Sequence, residues 1–352
     1  MKKIFLTIIT ISIVASLSLT LTGCPPTPVV EETTEEATPE EEAPAEEAEP
    51  IPIKIGYATT YGTHPSVMVI LESAKAEVLS DKWADKFDVE VVMCDVGWTE
   101  FATGIVTCLE DLHAAGVDAL LIFPAGCSGE ASQPIVDLYN ANNIPVVVTD
   151  CGIDYGEYVT FTVSDNYLGG KLAAEYAAQF MPEGSKVQAW NGTPGSPTAI
   201  ARCAGYTETM EALGMNVLPT SGTEVSLERG QADMEDLLVS DPDIKGIFVT
   251  NMILTEGALV AIENAGLVGE IMLTPFDCDY KTLQDIKDGK VLAAVMQDLV
   301  GMGQQGGYNL MLYLSGRYDE IEKDIYIPPS LLTIDNWEDF VDDPSVQPPA
   351  ED

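Results

Sequence analysis

The chain has 352 residues, with 57 acidic against 16 basic side chains and a formal net charge of −41. A duplex-binding surface needs clustered lysine and arginine, so this balance argues against nucleic-acid binding and against direct adhesion to anionic lipid. The stretch from residue 53 to residue 340 is long enough for one large hydrophobic core or two medium ones.

The N-terminus has the pattern of an exported protein. Met1-Lys2-Lys3 is followed by an uncharged, mostly apolar run from Ile4 to Leu21, which is short for a membrane span and typical of a signal peptide. The run ends in Leu21-Thr22-Gly23-Cys24, which resembles the lipobox of bacterial lipoproteins. The resemblance implies that residues 1–23 are a cleaved signal peptide and that the thiol of Cys24 carries the lipid anchor. The alternative is an uncleaved anchor with a chance cysteine.

Residues 24–52 are predicted to be a disordered tether rich in proline and glutamate. No lysine or arginine falls between Pro25 and Pro50, and ten glutamates fall between Glu31 and Glu49. Such a segment cannot bury enough apolar surface to offset its ordering entropy, and charge repulsion extends it. We expect it to hold a folded body off a membrane.

The body alternates apolar strand patterns with amphipathic helix patterns. Strands are predicted at 53–58, 89–93, 119–123, 146–149, 159–163, 186–190, 217, 244–249, 271–273 and 291–296, with an extended stretch over 325–334. Helices are predicted to begin at Pro65 and to cover 99–115, 131–140, 167–180, 199–213, 228–239, 256–265, 281–287 and 302–314. Strands that alternate with helices across short joints predict parallel, helix-covered sheets.

Two halves of the body repeat the same arrangement. The apolar run Val146–Thr149 ends at Asp150, and the later run Ile271–Phe276 ends at Asp277. The fold class predicted is therefore α/β, with two Rossmann-like, doubly wound lobes. Chain crossings near Val163, Gln297 and Ile325 are expected to join the lobes as a three-strand hinge.

The predicted boundaries follow from these crossings. The N-terminal lobe is expected to comprise residues 53–163 and 298–325, and the C-terminal lobe residues 164–297 and 326–340. Residues 341–352 are read as an acidic tail.

An ordered set of motifs runs through the body from Lys54 to Ile334. They are Thr63-His64-Pro65-Ser66, Ile144 to Asp150, Val163-Ser164-Asp165-Asn166-Tyr167-Leu168-Gly169-Gly170, Asn191-Gly192, Arg202-Cys203-Ala204-Gly205-Tyr206, Phe248 to Asn251, Phe276-Asp277 and Val295-Met296-Gln297. The ordered set resembles the type I periplasmic binding proteins of sugar ABC transporters, in particular the ribose-binding group.

The resemblance implies a function and a site. It implies a monomeric, lipid-anchored extracytoplasmic protein that captures a small polar ligand, such as a monosaccharide, between two lobes and delivers it to an ABC permease. Asp150 and Asp277 would accept hydroxyl hydrogens, Arg202 would donate a bidentate fork, and Asn251 and Gln297 would do both. The remaining implied ligand-binding residues are Thr60, His64, Ser66 and Cys151. Cys151 is alternatively a small packed thiol.

The chain departs from the ribose-binding pattern in its aromatic and basic positions. Ser66-Val67 stands where the ribose binders have two phenylalanines, and Cys151 stands where they have an arginine. Val225 falls where they have an aromatic residue before a helix. The ligand alternatives are therefore another aldose, a polyol, a furanosyl signal of the autoinducer-2 kind, or something less polar.

Other classes of function stay as alternatives. The same binder could present its ligand to a chemoreceptor or histidine kinase, and paired carboxylates could belong to a glycoside-acting enzyme. Gly301-Met302-Gly303-Gln304-Gln305-Gly306 fits a dinucleotide fingerprint, but only 46 residues follow it, so close helix packing explains it better. No catalytic residue, cofactor or metal site is predicted, and the redox state of the six cysteines other than Cys24 stays open.

Overall fold

The computed structural model describes residues 49–59, 65–96, 101–124, 133–153, 155–192, 195–222 and 224–347. The chain divides into two units, Met1–Glu47 and Ala48–Asp352, and every element below belongs to the second. The predicted signal peptide, the lipid anchor Cys24 and nearly all of the tether lie outside the described residues, as do Thr60 and His64. Within the described part of the chain, no helix combines the length and apolar character that a membrane span requires.

Thirteen strands and ten α-helices follow one another in the described part of the chain. The strands are β1 (Ile51–Thr59), β2 (Phe87–Asp95), β3 (Ala119–Ile122), β4 (Val146–Thr149), β5 (Thr160–Ser164), β6 (Lys186–Asn191), β7 (Asn216–Val217), β8 (Ser221–Gly222), β9 (Ile244–Val249), β10 (Met272–Pro275), β11 (Ala293–Met296), β12 (Asp324–Ile327) and β13 (Ser330–Thr333). The helices are α1 (Pro65–Val78), α2 (Asp81–Ala84), α3 (Phe101–Ala114), α4 (Gln133–Ala141), α5 (Asn166–Ala177), α6 (Pro197–Ala212), α7 (Leu227–Ser240), α8 (Met252–Asn264), α9 (Tyr280–Lys287) and α10 (Leu299–Leu314).

The first sheet has six parallel strands in the order β12-β5-β4-β3-β1-β2. Helices α1 and α10 pack on one face, and α3 and α4 pack on the other, each over its own hydrophobic core. All four residues of β4 are buried because both faces of the sheet are covered, which is why its sequence is continuously apolar.

The second sheet is also parallel, with the order β10-β9-β6-β7 and β8 paired to β6. Alternate residues of β9 point into two different cores, with Ile247 and Val249 in one and Phe248 in the other. The first core contains residues of α7, α8 and α9, and the second contains residues of α5 and α6. This doubly wound arrangement confirms the predicted fold class.

We call each sheet together with the helices that pack on it a layer. The chain passes between the first and the second layer three times. It leaves β5 of the first sheet for α5, returns from β11 to α10, and crosses again from β12 to β13, which pairs antiparallel with β11. The amide of Asp165 donates a hydrogen bond of 2.9 Å to the carbonyl oxygen of Ile327, so the first and third crossings are tied together. Crossings that support one another define a hinge axis better than a single linker does.

Glycines allow the helices to approach closely. A Cβ at Gly303 of α10 would lie 2.1 Å from the carbonyl oxygen of Ile70 in α1, and a Cβ at Gly170 of α5 would lie 2.0 Å from that of Arg202 in α6. No side chain fits at such distances. Close packing is therefore confirmed as the role of Gly303 in the G-x-G-x-x-G stretch.

Some elements differ from the sequence predictions. Helix α8 begins at Met252 rather than at Glu256, because the side chain of Asn251 caps it. The extended stretch predicted over 325–334 is two strands in different sheets. Helix α2 and strand β8 had no clear sequence signal. Val346, inside the segment read as an acidic tail, is buried in the second layer's core.

Candidate functional site

Two aspartates follow equivalent strands of the two sheets and share an unusual backbone conformation. Asp150 follows β4 with φ of 64°, and Asp277 lies just beyond β10 with φ of 71°. The amide of Asp150 donates to Thr162 O at 2.7 Å, and that of Asp277 donates to Val295 O at 2.9 Å. A neighbouring strand thus holds each aspartate in the left-handed region that few residues other than glycine adopt. Each carboxylate lies at the carboxyl edge of its sheet, where open α/β sheets bind ligands.

Arg202 is a nearly buried cation with a fixed position. It lies in the second turn of α6 and is 8% exposed. Its Nε donates to Asn166 Oδ1 at 2.7 Å, and its Nη1 donates to Thr250 O at 3.2 Å. Its guanidinium lies 3.7 Å from the centroid of the Phe276 ring, in a cation–π contact. A desolvated charge is tolerated only with such partners, and they leave its orientation little freedom.

Asp277 connects Arg202 to Gln297. Its Oδ2 lies 3.7 Å from Arg202 Nη1, and its Oδ1 accepts a hydrogen bond of 2.6 Å from Gln297 Nε2. The Oε1 atom of Gln297 is buried and has no hydrogen-bond partner among the described residues. A buried acceptor without a donor is costly, so this oxygen is suited to receive a hydrogen from a bound molecule.

Asp150 belongs electrostatically to the same group although it follows a strand of the first sheet. Burial raises its pKa to about 6, while the charge of Arg202 lowers that pKa and the charge of Asp277 raises it. The two acids and the arginine therefore act on one another across the two layers. We call Asp150, Arg202, Asp277 and Gln297 the cleft cluster.

The other implied site residues are placed differently. Asn251 Oδ1 accepts from the amides of Ile253 and Leu254 at 2.9 and 3.4 Å, so only its amino group is suited to donate to a ligand. Cys151 is buried and disulfide-bonded, so the packed-thiol alternative is wrong. Ser66 lies half-buried in the first turn of α1.

The residues that contact Arg202 and fix its orientation were not predicted from the sequence. Asn166 and Phe276 lie inside motifs that carry the family resemblance, yet the sequence does not show that both contact Arg202. Thr250 accepts from the Gly192 amide through its Oγ1 at 3.0 Å and from Arg202 through its carbonyl oxygen. Ser164, in the crossover motif, is buried with an Oγ that has no partner in the described part of the chain.

The cysteines are mostly oxidised in the described part of the chain. Cys94 of β2 and Cys108 of α3 form a disulfide, whereas Cys203 and Cys278 are buried free thiols. Burial raises the pKa of the Cys203 thiol to about 12, which makes it a poor nucleophile. Among the described residues, no group of three or more histidine, cysteine or acidic side chains is placed to hold a metal ion.

Two doubly wound parallel sheets, joined by three crossings and carrying polar groups at facing strand ends, define a type I periplasmic binding protein fold. The sequence profile described as "periplasmic binding protein domain" matches residues 81–317. The chain belongs to this family, and the resemblance to the ribose-binding group is confirmed.

Curated relatives include ribose binders. The chain is 33% identical to the "Ribose import binding protein RbsB" of Escherichia coli (strain K12) over 56% of this chain and 66% of that protein. It is 28% identical to the "D-ribose/D-allose-binding protein" of Pseudomonas aeruginosa over 73% of this chain and 82% of that protein. The matches to the ribose import proteins of Escherichia coli and Bacillus subtilis span 66% and 62% of those proteins, just under two thirds.

Solved structures share the fold at low sequence identity. A periplasmic ribose ABC transporter structure from Conexibacter woesei superposes with a TM-score of 0.74 at 19% identity, covering 84% of this chain and 96% of that one. An Agrobacterium vitis solute-binding protein bound to α-D-tagatopyranose has a TM-score of 0.71 at 22% identity, covering 84% and 97% of the two chains.

Proposed function

We propose that this protein is an extracytoplasmic solute-binding protein that captures a small polar ligand, such as a monosaccharide, in the cleft lined by the cleft cluster. The observation that carries the proposal is the pairing of Asp150 and Asp277 at equivalent strand ends of two sheets, with Arg202 beside Asp277. The names of the curated relatives, which are ribose and allose binders, support a sugar as the ligand class.

The chemistry of the cluster suits adjacent hydroxyl groups. Two carboxylates accept hydroxyl hydrogens, and Arg202 offers guanidinium N–H groups beyond those bound to Asn166 and Thr250. Gln297 supplies a buried acceptor, and the amino group of Asn251 supplies a donor. Ser66, Thr60, His64 and Cys151 are proposed to complete the site.

Binding is proposed to favour closure of two lobes about the three crossings. The lobes are proposed to follow the predicted division, except that the third crossing lies between Ile327 and Ser330, so that β12 belongs to the first lobe and β13 to the second. Asp150 lies in the first lobe, and Arg202 and Asp277 lie in the second, so a ligand that bridges them binds the closed form more tightly. The closed protein would then deliver its ligand to an ABC permease.

The experiment that tests the site is calorimetric titration of the mature chain with pentoses, hexoses, polyols and furanosyl signals. Arg202→Ala is expected to weaken binding at least tenfold, because charged hydrogen bonds are lost from a desolvated site. Arg317→Ala is the matched control, since Arg317 is a partly exposed arginine that forms an ion pair with nearby Glu320. Unchanged affinity in Arg202→Ala would show that the site is misassigned.

The lipid anchor is proposed at Cys24, with a monomeric body on an acidic tether. Growth with an alkyne-labelled fatty acid is expected to label the protein, and Cys24→Ala is expected to abolish both labelling and membrane fractionation. Labelling that persists in the variant would contradict this assignment.

Two alternatives have distinct outcomes. A sensor would bind the same ligand, but cross-linking would recover a chemoreceptor or histidine kinase rather than a permease. A glycoside-acting enzyme would release sugar from glycosides. The proposal is for a binding protein, because the relatives are named as binding proteins and Asp277 is paired with Arg202 and Gln297 rather than left to move protons.

A further inference from the structure

A cavity lies beside the crossover from β5 to α5. Its volume is about 410 Å³, and it is bounded by β5, β12 and the first turns of α5 and α6. Asp150, Arg202, Asp277 and Gln297 do not line it. We call it the hinge-side cavity, and it is distinct from the cleft cluster.

Aromatic rings form much of its wall. Tyr158, Phe161, Tyr167 and Tyr326 all line it, and the rings of Tyr158 and Phe161 meet edge to face with centroids 6.5 Å apart. Tyr167 is 43% exposed and Tyr326 is 63% exposed, so neither ring is buried in a core and both are accessible to a ligand. Several ring faces around one hollow attract a cation through their quadrupoles.

Two carboxylates line the same cavity. Asp324 Oδ1 accepts from the Tyr158 hydroxyl at 2.8 Å, and Asp165 Oδ1 accepts from the Leu168 amide at 2.9 Å. In each carboxylate, one oxygen accepts this hydrogen bond and the other oxygen can still accept one from a ligand. Burial and the bond to Asp324 raise the pKa of Tyr158 to about 12, so this hydroxyl stays a donor. None of the described residues that line the cavity is a lysine or an arginine.

A lysine already contacts one ring of the aromatic wall. Lys323 Nζ lies 4.7 Å from the centroid of Tyr158 and 4.0 Å from Glu157 Oε2. One face of Tyr158 therefore already holds an ammonium group. With Glu157 and Lys323 offsetting each other, Asp165 and Asp324 leave the surroundings negative, in a chain of net charge −41.

A neutral sugar suits this cavity poorly. Asn166 is the one side-chain amide among the described residues that line it, and both of its polar atoms are engaged: Nδ2 donates to Ser164 O at 2.9 Å, and Oδ1 accepts from Arg202 Nε. Sugar sites combine acceptors with amide or guanidinium donors, whereas the free side-chain donors among the described lining residues are hydroxyl groups such as that of Ser164. A ligand that brings positive charge and apolar surface matches both the carboxylates and the rings.

We propose that the hinge-side cavity binds a small organic ammonium ion, with the rings of Tyr167 and Tyr326 against its alkyl groups and with Asp165 and Asp324 as counter-charges. The site does not depend on which ligand occupies the cleft cluster.

The test is calorimetric titration of the mature chain at low ionic strength with choline and with tetramethylammonium. The comparison ligand is dimethylbutanol, the uncharged carbon isostere of choline. Both cations are expected to bind, and the isostere is expected to bind at least tenfold more weakly. Equal binding of the isostere, or no binding of either cation, would overturn the proposal.

Variants then locate the binding. Tyr326→Ala and Asp324→Asn are each expected to weaken choline binding at least fivefold. Tyr318→Ala, which removes another tyrosine of similar exposure from outside the cavity, is expected to leave it unchanged. Choline affinity that survives both cavity variants would refute the assignment.

A last experiment distinguishes binding at this site from binding in the proposed sugar cleft. Choline binding is expected to persist in Gln297→Ala, which removes a cleft-cluster side chain that does not line the cavity, and to show no competition with a cleft ligand. Loss of choline binding in that variant would place the cation in the cleft and refute the hinge-side site. Failure of every sugar to bind would instead refute the proposed function, while the choline measurement still decides the cavity.

Discussion

At the residue scale, burial makes one carboxylate of the cleft cluster unusually hard to ionise. Burial raises the pKa of Asp150 to about 6, from 3.8 for an ordinary aspartate, and Arg202 only partly offsets this. The unfolded chain therefore loses the proton first. The stabilisation from the protonated carboxyl is fully present below pH 3.8 and is lost as the pH rises to about 6.

Asp150→Asn should remove this pH-dependent contribution to the free energy of unfolding. At pH 7 the variant is expected to be more stable than the wild type by up to about 3 kcal/mol, since each pKa unit corresponds to about 1.4 kcal/mol. The gain should vanish below pH 4. Urea unfolding of both proteins at pH 4, 5, 6 and 7 measures the difference, and a difference that does not vary with pH would contradict the shifted pKa.

The same carboxylate links binding to protons. A hydroxyl that donates to Asp150 favours its charged form, so ligand binding at pH 6 is expected to release a fraction of a proton. Calorimetry in two buffers of different ionisation enthalpy would detect this release. Identical apparent enthalpies in the two buffers would show that Asp150 does not meet the ligand.

The site residues that directly follow a strand could be predicted from the sequence. Asp150 and Asp277 each follow an apolar strand, so their place at the sheet edge was predictable, whereas their shared positive φ was not. The partners of Arg202 come from three separate segments, at Asn166, Thr250 and Phe276. Only tertiary packing brings such groups together, so periodicity and spacing do not reveal them.

At the element scale, helix packing positions the arginine. A Cβ at Gly170 would lie 2.0 Å from the carbonyl oxygen of Arg202, and a Cβ at Gly205 would lie 2.0 Å from that of Tyr167. The two glycines thus let α5 and α6 touch along the turn that carries Arg202. Moving α6 outward would move the guanidinium relative to Asp277.

Gly170→Ala is expected to lower stability by about 1–3 kcal/mol, as overpacking does, and to weaken ligand binding. Gly307→Ala is the control: its Cβ would lie 2.8 Å from the carbonyl oxygen of Ala74, in the part of the α1–α10 contact that is about two helical turns from Ser66. The control is expected to lose similar stability with unchanged affinity. If both variants bind alike, the α5–α6 contact does not position the site.

The disulfide between Cys94 and Cys108 joins β2 to α3 across a separation of 14 residues. Closing a loop of that length stabilises a protein by about 3 kcal/mol in the chain-entropy account. Cys94→Ser with Cys108→Ser is therefore expected to lower the free energy of unfolding by about 2–4 kcal/mol. Denaturant unfolding of the purified variant checks this, and an unchanged midpoint would contradict it.

Element boundaries were predictable where a cap or a glycine marks them. Asp165 is of a residue type that favours helix N-caps, and its side chain accepts from the Leu168 amide at the start of α5. The start of α8 was placed too late because Asn251 was assigned to the ligand and not also to the cap. Strand β8 has only two residues, Ser221 and Gly222, too few to show an alternation.

At the scale of the whole molecule, the repeat of strand–helix units predicted two layers, and the count of units predicted three crossings. The third crossing falls between Ile327 and Ser330, slightly later than the predicted position near Ile325. The hydrogen bond from Asp165 to Ile327 couples it to the first crossing. Such pairing between segments 162 positions apart has no local signature.

Coupled crossings predict that the two layers move as rigid bodies when a ligand bridges them. Fluorophores introduced through unnatural amino acids at Leu79 and Val239, which are 49% and 84% exposed, report on the first and second layers. Transfer efficiency between them is expected to change when the cleft ligand is added. It should stay constant for a pair at Leu79 and Leu138, which both belong to helices or turns of the first layer.

Arg202→Ala should abolish the change at the same ligand concentration, because the ligand's higher affinity for the closed form is what drives closure. A signal that is unaffected by ligand, or that persists in this variant, would show that closure does not depend on the cleft cluster.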